Sequence, residues 1–426
     1  MPRQRLAIIG TGIAGLGCAH FLQHQYELTL YEANDYAGGH TNTITVQEEG
    51  RALPVDTGFM VFNRVTYPLL TRLFHELGVE TQRTDMSFSV RHDPTGLEYN
   101  GSKLKTIFGR RIQLLSPRFW RFLMRIQRFN RETSEALEDP RFAEMTLREY
   151  VKLRNYGDDF LNLYLVPMGS AVWSTPPELM LDFPAITLMR FWHNHGFLGM
   201  HTRHPWWTVS GGAQSYVKKL TAPFRDRIQL SNPVERVSRT SEGTVLVQPR
   251  EGPVVAYDKV ILASHADQSL RLLADADAME SRLLGPFQYQ PNSAVLHTDE
   301  KFMPKTRRCW AAWNYLVQPL RGGGIRPTTH YWMNQLQGVS EKVNYFVSLN
   351  ADDMVDPDKV CKRIAYTHPL FDVAAVAAQK ELPELNRRST NQTTYFCGSY
   401  FRYGFHEDAF GSAVSLCRDI LRGDPW

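Results

Sequence analysis

The chain has 426 residues, 43% of them hydrophobic and 22% charged, with a formal net charge of +4. That is ample apolar material for two or three domains or one large split-domain enzyme, and too slight a charge to name a partner. The five scattered cysteines (Cys18, Cys309, Cys361, Cys397, Cys417) form no C-x-x-C pair, which excludes a disulfide framework and a thiolate metal finger and points to a reducing, cytoplasmic setting.

The opening residues, MPRQRLAIIGTGIAGLGCA, have the basic start and apolar run of a leader, but Gly10, Gly12, Gly15 and Gly17 interrupt the run. A better account is a short buried strand up to Gly10, then a G-x-G-x-x-G turn in which Ile13 and Ala14 precede Gly15, then a helix through GLGCAHFLQHQ. A second strand, ELTLYE, ends at Glu32 and Ala33. In this βαβ unit Gly10 permits the tight turn, Gly12 lets backbone approach a pyrophosphate, and Gly15 lets helix and strand pack closely. The helix N-terminus then offers N–H groups to the phosphates. Glu32 lies 20 residues past Gly12, placed to accept a ribose hydroxyl. Its carboxylate opposes a 2′-phosphate but does not separate NAD from FAD.

Two further segments follow. AGGHTNT (37–43) carries Gly38, Gly39, His40 and Thr41, and VDTGFMVF (55–62) carries Thr57, Gly58, Phe59 and Met60. A Gly-Gly pair so soon after the acidic residue resembles the glutathione-reductase-like flavoproteins. Within them, both segments resemble the flavin amine oxidase and phytoene desaturase superfamily. There a G-G-Arg is usual and the D-x-G strand runs past the flavin. His40 stands where that arginine is usual, so a fixed cation gives way to a group that titrates near neutral pH.

Residues 66–205 are aromatic-rich and helical in pattern. From Tyr99 to Arg131 there is no acidic residue, and nine basic ones occur: Lys103, Lys105, Arg110, Arg111, Arg118, Arg121, Arg125, Arg128 and Arg131. If 117–130 is helical, Arg118, Arg121, Arg125 and Arg128 share one face and Phe119, Phe122, Leu123 and Ile126 another. Two readings follow: peripheral contact of residues 103–131 with an anionic membrane, or an outer helix with solvated arginines. No nucleic-acid motif accompanies the charge, so no nucleic-acid partner is expected. The uncharged stretch from Phe160 to Pro177 holds Pro167, Gly169, Pro176 and Pro177 and cannot be a continuous membrane span.

FWHNHGFLGMHTRHPWW (191–207) carries His193, His195, His201 and His204, but no cysteine or carboxylate joins them, so no metal site is expected. His195 is the one read as lining a substrate cavity. Eight of the nine tryptophans fall between Trp120 and Trp332, which fits an aromatic-lined cavity as well as ordinary core. Val234 opens the strand PVERV, and YDKVILASHADQSLRLL (257–273) resembles the superfamily strand beneath the adenine half. Near the C-terminus, YFCGSYFRYGFHEDAFGSA (395–413) resembles the superfamily's returning last strand and its turn, which implies Gly398 and Ser399 close to the pyrophosphate and ribityl. Phe405, Asp408, Ala409 and Ser412 then sit at the start of a last helix, whose N–H groups would face the flavin edge where negative charge collects on reduction. The small residues Ala409, Gly411, Ser412 and Ala413 permit close packing on the cofactor.

The whole chain resembles one bacterial family of NAD/FAD-binding flavoproteins in the amine-oxidase-like group. The resemblance is carried by GGHTNT (38–43), DTGFMVFN (56–63), NHG (194–196), WWTVSGGAQSYV (206–217), YWMNQLQ (331–337), HPLFD (368–372) and YGFHED (403–408). Members resemble the flavoprotein portion of plant cyclopropane fatty-acid synthases and the dehydrogenases of methyl-branched fatty acyl chains in furan fatty-acid synthesis. The resemblance implies an α/β fold. A Rossmann-like, glutathione-reductase-type FAD-binding domain (1–65, 206–290, 391–426) is interleaved with an α+β substrate domain (66–205, 291–390). It implies FAD as cofactor and a lipid or acyl-chain substrate desaturated by hydride transfer to flavin N5, with oxygen, a quinone or a protein as acceptor. His406 and Glu407 are the first candidates for the base, Tyr403 and His195 the next. The alternatives are an amine oxidase, a redox-neutral isomerase, and a flavin-holding accessory subunit of a lipid methyltransferase. The segment NSAVLHTD (292–299) has no lysine before it of the kind amine oxidases commonly place near N5, which argues mildly against the first.

Overall fold

The structure, a computed structural model, describes residues 3–199, 202–320, 322–388 and 392–426. His201 and the expected junction between 390 and 391 lie outside the described residues.

The apolar run LAII forms the strand Arg5–Ile9 at the centre of a five-stranded parallel sheet. Its neighbours are Glu27–Tyr31 and Lys259–Leu262, and the outer strands are Ile228–Gln229 and Thr394–Phe396. Four distant stretches of chain thus meet in one sheet. Parallel strands buried on both faces need helical cover, and here the first helix, Ile13–Leu22, and the last, His406–Leu421, pack side by side. A side chain on Gly17 would meet the ring of Phe410 at 2.9 Å and Ala413 at 3.3 Å. The small residues of the last helix, expected to pack on the cofactor, therefore serve in part as helix–helix contact: Ala413 faces Gly17.

The second sheet has seven strands in the order Val360–Leu370, Gln288–His297, Phe346–Leu349, Ile325–Trp332, Trp313–Pro319, Phe88–His92, Leu97–Asn100. All neighbours are antiparallel except Trp313–Pro319 with Phe88–His92. The stretch 66–205 is thus less uniformly helical than its aromatic pattern implied. FSVRH and LEYN become strands because they complete this sheet's edge rather than by a strong local preference. A small sheet joins Phe62–Asn63, Trp206–Val209 and Thr81–Thr84, and the strands Val234–Arg239, Val245–Pro249 and Val255–Tyr257 form another.

The arginine-rich segment folds as the helix Pro117–Ala136, N-capped by the Ser116 hydroxyl and buried along Phe119, Phe122 and Phe129. The expected row of four free arginines is not free. Arg118 pairs with Asp159 (2.6 Å), Arg128 pairs with Glu132 (2.7 Å) and donates to the Arg154 carbonyl, and the Arg125 guanidinium lies against Gly157. These residues fasten the helix to the segment 154–159. Among the described residues no helix is long and apolar enough to cross a membrane.

Candidate active site

The strand Arg5–Ile9 ends in Gly10, whose φ of +101° suits glycine and whose N–H donates to the Tyr31 carbonyl (2.9 Å). A side chain there would sit 2.8 Å from the Ala263 oxygen, and one on Gly15 would run into the Gly10 carbonyl. A side chain on Gly12, by contrast, would meet nothing within 4 Å among the described residues, so the N-terminus of the first helix opens on free space. Ile13 and Ala14 are buried beneath it and can offer only their N–H groups. Gly39 lies against Gly12: a Cβ added to it would stand 3.2 Å from the Gly12 Cα. This brings the second glycine segment onto the first. His40 follows, and its Nε2 is buried without a hydrogen-bond partner among the described residues. Its ring stacks on Tyr366 (4.9 Å between centroids) and neighbours His368 (5.3 Å) and His265 (6.4 Å). Burial lowers His40 and His265 to about 4 and His368 to about 3, so all are neutral at pH 7. A helix N-terminus facing open space, a turn too tight for side chains and an orphaned imidazole nitrogen fit a dinucleotide's phosphates and hydroxyls.

Glu32 is buried and its carboxylate is well occupied. It accepts from the Thr11 N–H (3.0 Å) and hydroxyl, and from the Asn34 N–H (2.9 Å) and side-chain amide (2.8 Å). It therefore ties the glycine turn to the loop after the second strand, and a ribose hydroxyl reaches it by displacing the exposed Asn34 amide. Ala33 beside it is exposed. Asn232 donates its N–H to the Glu32 carbonyl (2.9 Å), which sets Val234 at the same end of the sheet.

The remaining residues expected at the cofactor form a connected group. The Thr41 hydroxyl lies 2.6 Å from that of Tyr216 and 3.0 Å from His406 Nε2. Thr57 donates to the Asn42 carbonyl (3.0 Å) and meets the Tyr366 hydroxyl (2.8 Å). Gly58 is pressed against the His40 carbonyl, and Met60 accepts a bond from the Thr208 hydroxyl (2.8 Å) through its carbonyl. Ser399 opens a short turn, and its carbonyl accepts from the Gly404 N–H (3.1 Å). Ser412 accepts from the Gly398 N–H (2.9 Å) and donates to the Ala409 carbonyl (2.7 Å), so it holds the Gly398 turn to the last helix.

A cavity of about 440 Å³ lies between residues 65–69, the end of the helix Ala185–Asn194 and residues 402–408. Its wall includes Tyr67, Leu69, His195, Arg402, Tyr403 and Phe405, and Glu407 and Asp408 also line it. The candidates for the base divide around it. His406, expected first, lies flat on Phe59 (4.0 Å between centroids) with Nε2 2.7 Å from the Tyr216 hydroxyl, and it is not part of the wall. Burial lowers it to about 3. Both Glu407 oxygens accept backbone N–H groups, from Leu69 and Leu70 (2.9 Å each), so the residue caps the helix Pro68–Glu76. Burial raises its pKa. Asp408 caps its own helix through the Phe405 N–H (2.9 Å), and burial pushes it up to about 7.

His195, expected only in reserve, is in the wall. Its Nδ1 lies 2.9 Å from the Phe191 carbonyl, which can only accept, so Nδ1 carries the proton and Nε2 keeps its lone pair. Burial lowers the ring to about 4, which keeps it neutral. Tyr403 also lines the cavity, with its carbonyl held by the Trp173 indole N–H (3.1 Å). Of the other histidines in that cluster, His193 is exposed and His204 bonds the Asn194 carbonyl through Nε2 (3.0 Å).

Sequence reasoning passed over Tyr366, His368, His265, Arg402 and Asp56. Asp56 is wholly buried; it accepts from the Ala213 N–H (2.8 Å) and the Gln337 amide (2.6 Å), and burial raises it to about 7. It was legible as the acid of D-x-G, and Tyr366 and His368 as alternate residues of one strand, but nothing local tells which loop such groups face.

A glycine-turn βαβ sheet that fits a flavin dinucleotide, set beside an aromatic-walled cavity, defines a flavin-dependent oxidoreductase. The family model for flavin containing amine oxidoreductases matches residues 13–366, and the chain belongs to that family. FAD is its cofactor. Solved structures similar over nearly the full length include putrescine oxidase bound to putrescine (15% identity, 99% of each chain, TM-score 0.68). A CLA-producing fatty acid isomerase from P. acnes aligns with 15% identity, 98% of each chain and a TM-score of 0.67. Cyclohexylamine oxidase from Brevibacterium oxydans IH-35A aligns with 15% identity, 99% of this chain, 100% of that one and a TM-score of 0.68. At such identities the likeness is one of fold. No curated protein matches the chain.

Proposed function

We propose that the protein dehydrogenates an acyl chain, and that the cavity between residues 65–69, 191–195 and 402–408 receives it. The observation that carries this reading is the character of the wall. Tyr67, Leu69, Phe191 and Phe405 present apolar surface, and the one cation among the described wall residues, Arg402, opposes an ammonium group. Glu407 is committed to backbone, and Asp408, raised by burial, is a poor fixed anion for an amine.

FAD supplies acceptance of a hydride from a substrate C–H. The residues around it hold the chain and move a proton. Gly10, Gly12, Gly15, Gly39 and His40 hold the dinucleotide, and Phe405 and Phe191, stacked at 4.8 Å, form the surface on which the chain lies. His195, neutral and fixed in one tautomer by Phe191, takes the proton from the neighbouring carbon at Nε2, so that hydride and proton leave adjacent carbons and a double bond remains. A second reading, amine oxidation, is favoured by the putrescine and cyclohexylamine oxidases among the similar folds.

The test is the visible spectrum of the FAD-loaded protein under anaerobic conditions, before and after addition of bacterial phospholipid and, separately, of primary amines. Bleaching of the flavin band by lipid, with a new double bond located by mass analysis, is expected. Bleaching by amine alone overturns the proposal.

A further inference from the structure

The turn ahead of the arginine-rich helix shows apolar side chains to solvent in unusual concentration. Among the described residues, 13 large hydrophobics are exposed, and five of them, Ile112, Leu114, Leu115, Trp120 and Met124, fall between positions 112 and 124. Leu115 is 80% exposed, Ile112 65% and Met124 57%. On the helix, Pro117, Trp120, Arg121 and Met124 follow the i, i+3, i+4, i+7 spacing of one face, opposite the buried Phe119 and Phe122. Their exposure is built in. The Trp120 indole N–H donates to the Leu114 carbonyl (3.0 Å), and Phe108 packs on Trp120 (5.1 Å between centroids). Gln113, the buried residue of the turn, donates its amide to the Glu98 carbonyl (2.8 Å).

Within the segment that carries this patch the charge has one sign, and the nearby carboxylate, Asp159, is paired with Arg118. Lys103, Lys105, Arg110, Arg111 and Arg121 are exposed beside it, and no acidic residue occurs from Tyr99 to Arg131. Three of the arginines expected to form a membrane face turn instead to Asp159, Glu132 and Gly157, so the usable surface lies on another side of the same helix.

We propose that residues 103–124 dock on an anionic lipid surface, with Ile112, Leu115, Trp120 and Met124 entering the boundary between headgroups and acyl chains. Lys103, Lys105, Arg110, Arg111 and Arg121 meet the lipid phosphates. An exposed apolar centre with a predominantly basic rim complements a bilayer, which offers both apolar depth and negative charge. A second copy of this chain would set the same basic rim against itself. The docking does not depend on which substrate the cavity takes.

The test is cosedimentation of the FAD-loaded protein with vesicles of phosphatidylglycerol and phosphatidylcholine, against phosphatidylcholine alone, with sedimentation velocity run in parallel. Partitioning to the anionic vesicles is expected, weakened by salt. It should fall about tenfold or more in Ile112→Asp/Leu115→Asp and in Arg110→Gln/Arg111→Gln, with the flavin absorbance per protein unchanged. Absence of binding by the unaltered protein overturns the proposal. So does equal binding by the variants, or a dimer that dissociates when Leu115 is replaced while vesicle binding stays the same.

Discussion

The proposed nucleotide cradle and the proposed substrate cavity are made in opposite ways. The cradle is mostly backbone: one continuous stretch supplies strand, turn and helix, and Gly10 and Gly15 are needed because neighbouring carbonyls occupy the space a side chain would take. The cavity is mostly side chains from three stretches far apart in sequence, and Glu407 joins two of them by capping the helix Pro68–Glu76. A cradle of that kind tolerates little change and holds one cofactor. A cavity of this kind can be relined without disturbing the sheet, which is how relatives of one fold come to act on different substrates.

The sharpest way to break this contrast is at the glycines. Gly15→Val is expected to abolish FAD retention and destabilise the fold by about 3 kcal/mol, read from the flavin-to-protein absorbance ratio and thermal unfolding. Normal retention would mean that the turn is not the cradle. In the cavity, His195→Gln should leave FAD content intact while turnover falls about 100-fold, the usual scale for a lost general base. An equal loss of both would move His195 from the chemistry to the scaffold.

Acid should separate the regions too. Burial holds His40 and His265 at about 4 and His368 at about 3, below the ordinary value of about 6.5. Groups depressed on folding contribute stability that is full above pH 6.5 and is lost as pH falls toward about 4. The apoprotein's melting temperature should therefore drop across that window. The FAD-loaded protein should drop less, because the phosphates offset the new imidazolium charge. Parallel curves for the two forms would place these histidines away from the cofactor. The smallest effect is expected from Glu407→Gln, a loss of about 1 kcal/mol in thermal stability with turnover little changed. A collapse of turnover at unchanged melting temperature would return Glu407 to the chemistry.

Much of the cradle was legible in the sequence because its determinants are local. The glycine spacing, the alternation ending at Glu32 and the Gly38-Gly39 pair each specify a backbone path within a few residues. The proposed base, His195, stood only in reserve among the sequence candidates. His406 and Glu407 stand in the most conspicuous motif of the C-terminal half, yet one lies flat on Phe59 and the other caps a helix more than 300 residues away in sequence. Strands Phe88–His92 and Leu97–Asn100 were hidden among helical patterns because they pair with each other at a sheet edge whose next strand, Trp313–Pro319, lies more than 200 residues downstream.

The sequence by itself determined the strand, glycine turn and helix at the N-terminus and the second strand that ends before Glu32. Hydrogen bonding and steric exclusion over short chain distances suffice for such features. Only the tertiary structure decided which polar groups are spent on backbone and which face open space. It turned three of the four expected arginines to the protein, brought Ile112 and Leu115 to the surface, and left His195 in the cavity wall with Nδ1 held by the Phe191 carbonyl. A side chain's orientation is set by whatever packs against its element, and those neighbours come from elsewhere in the chain.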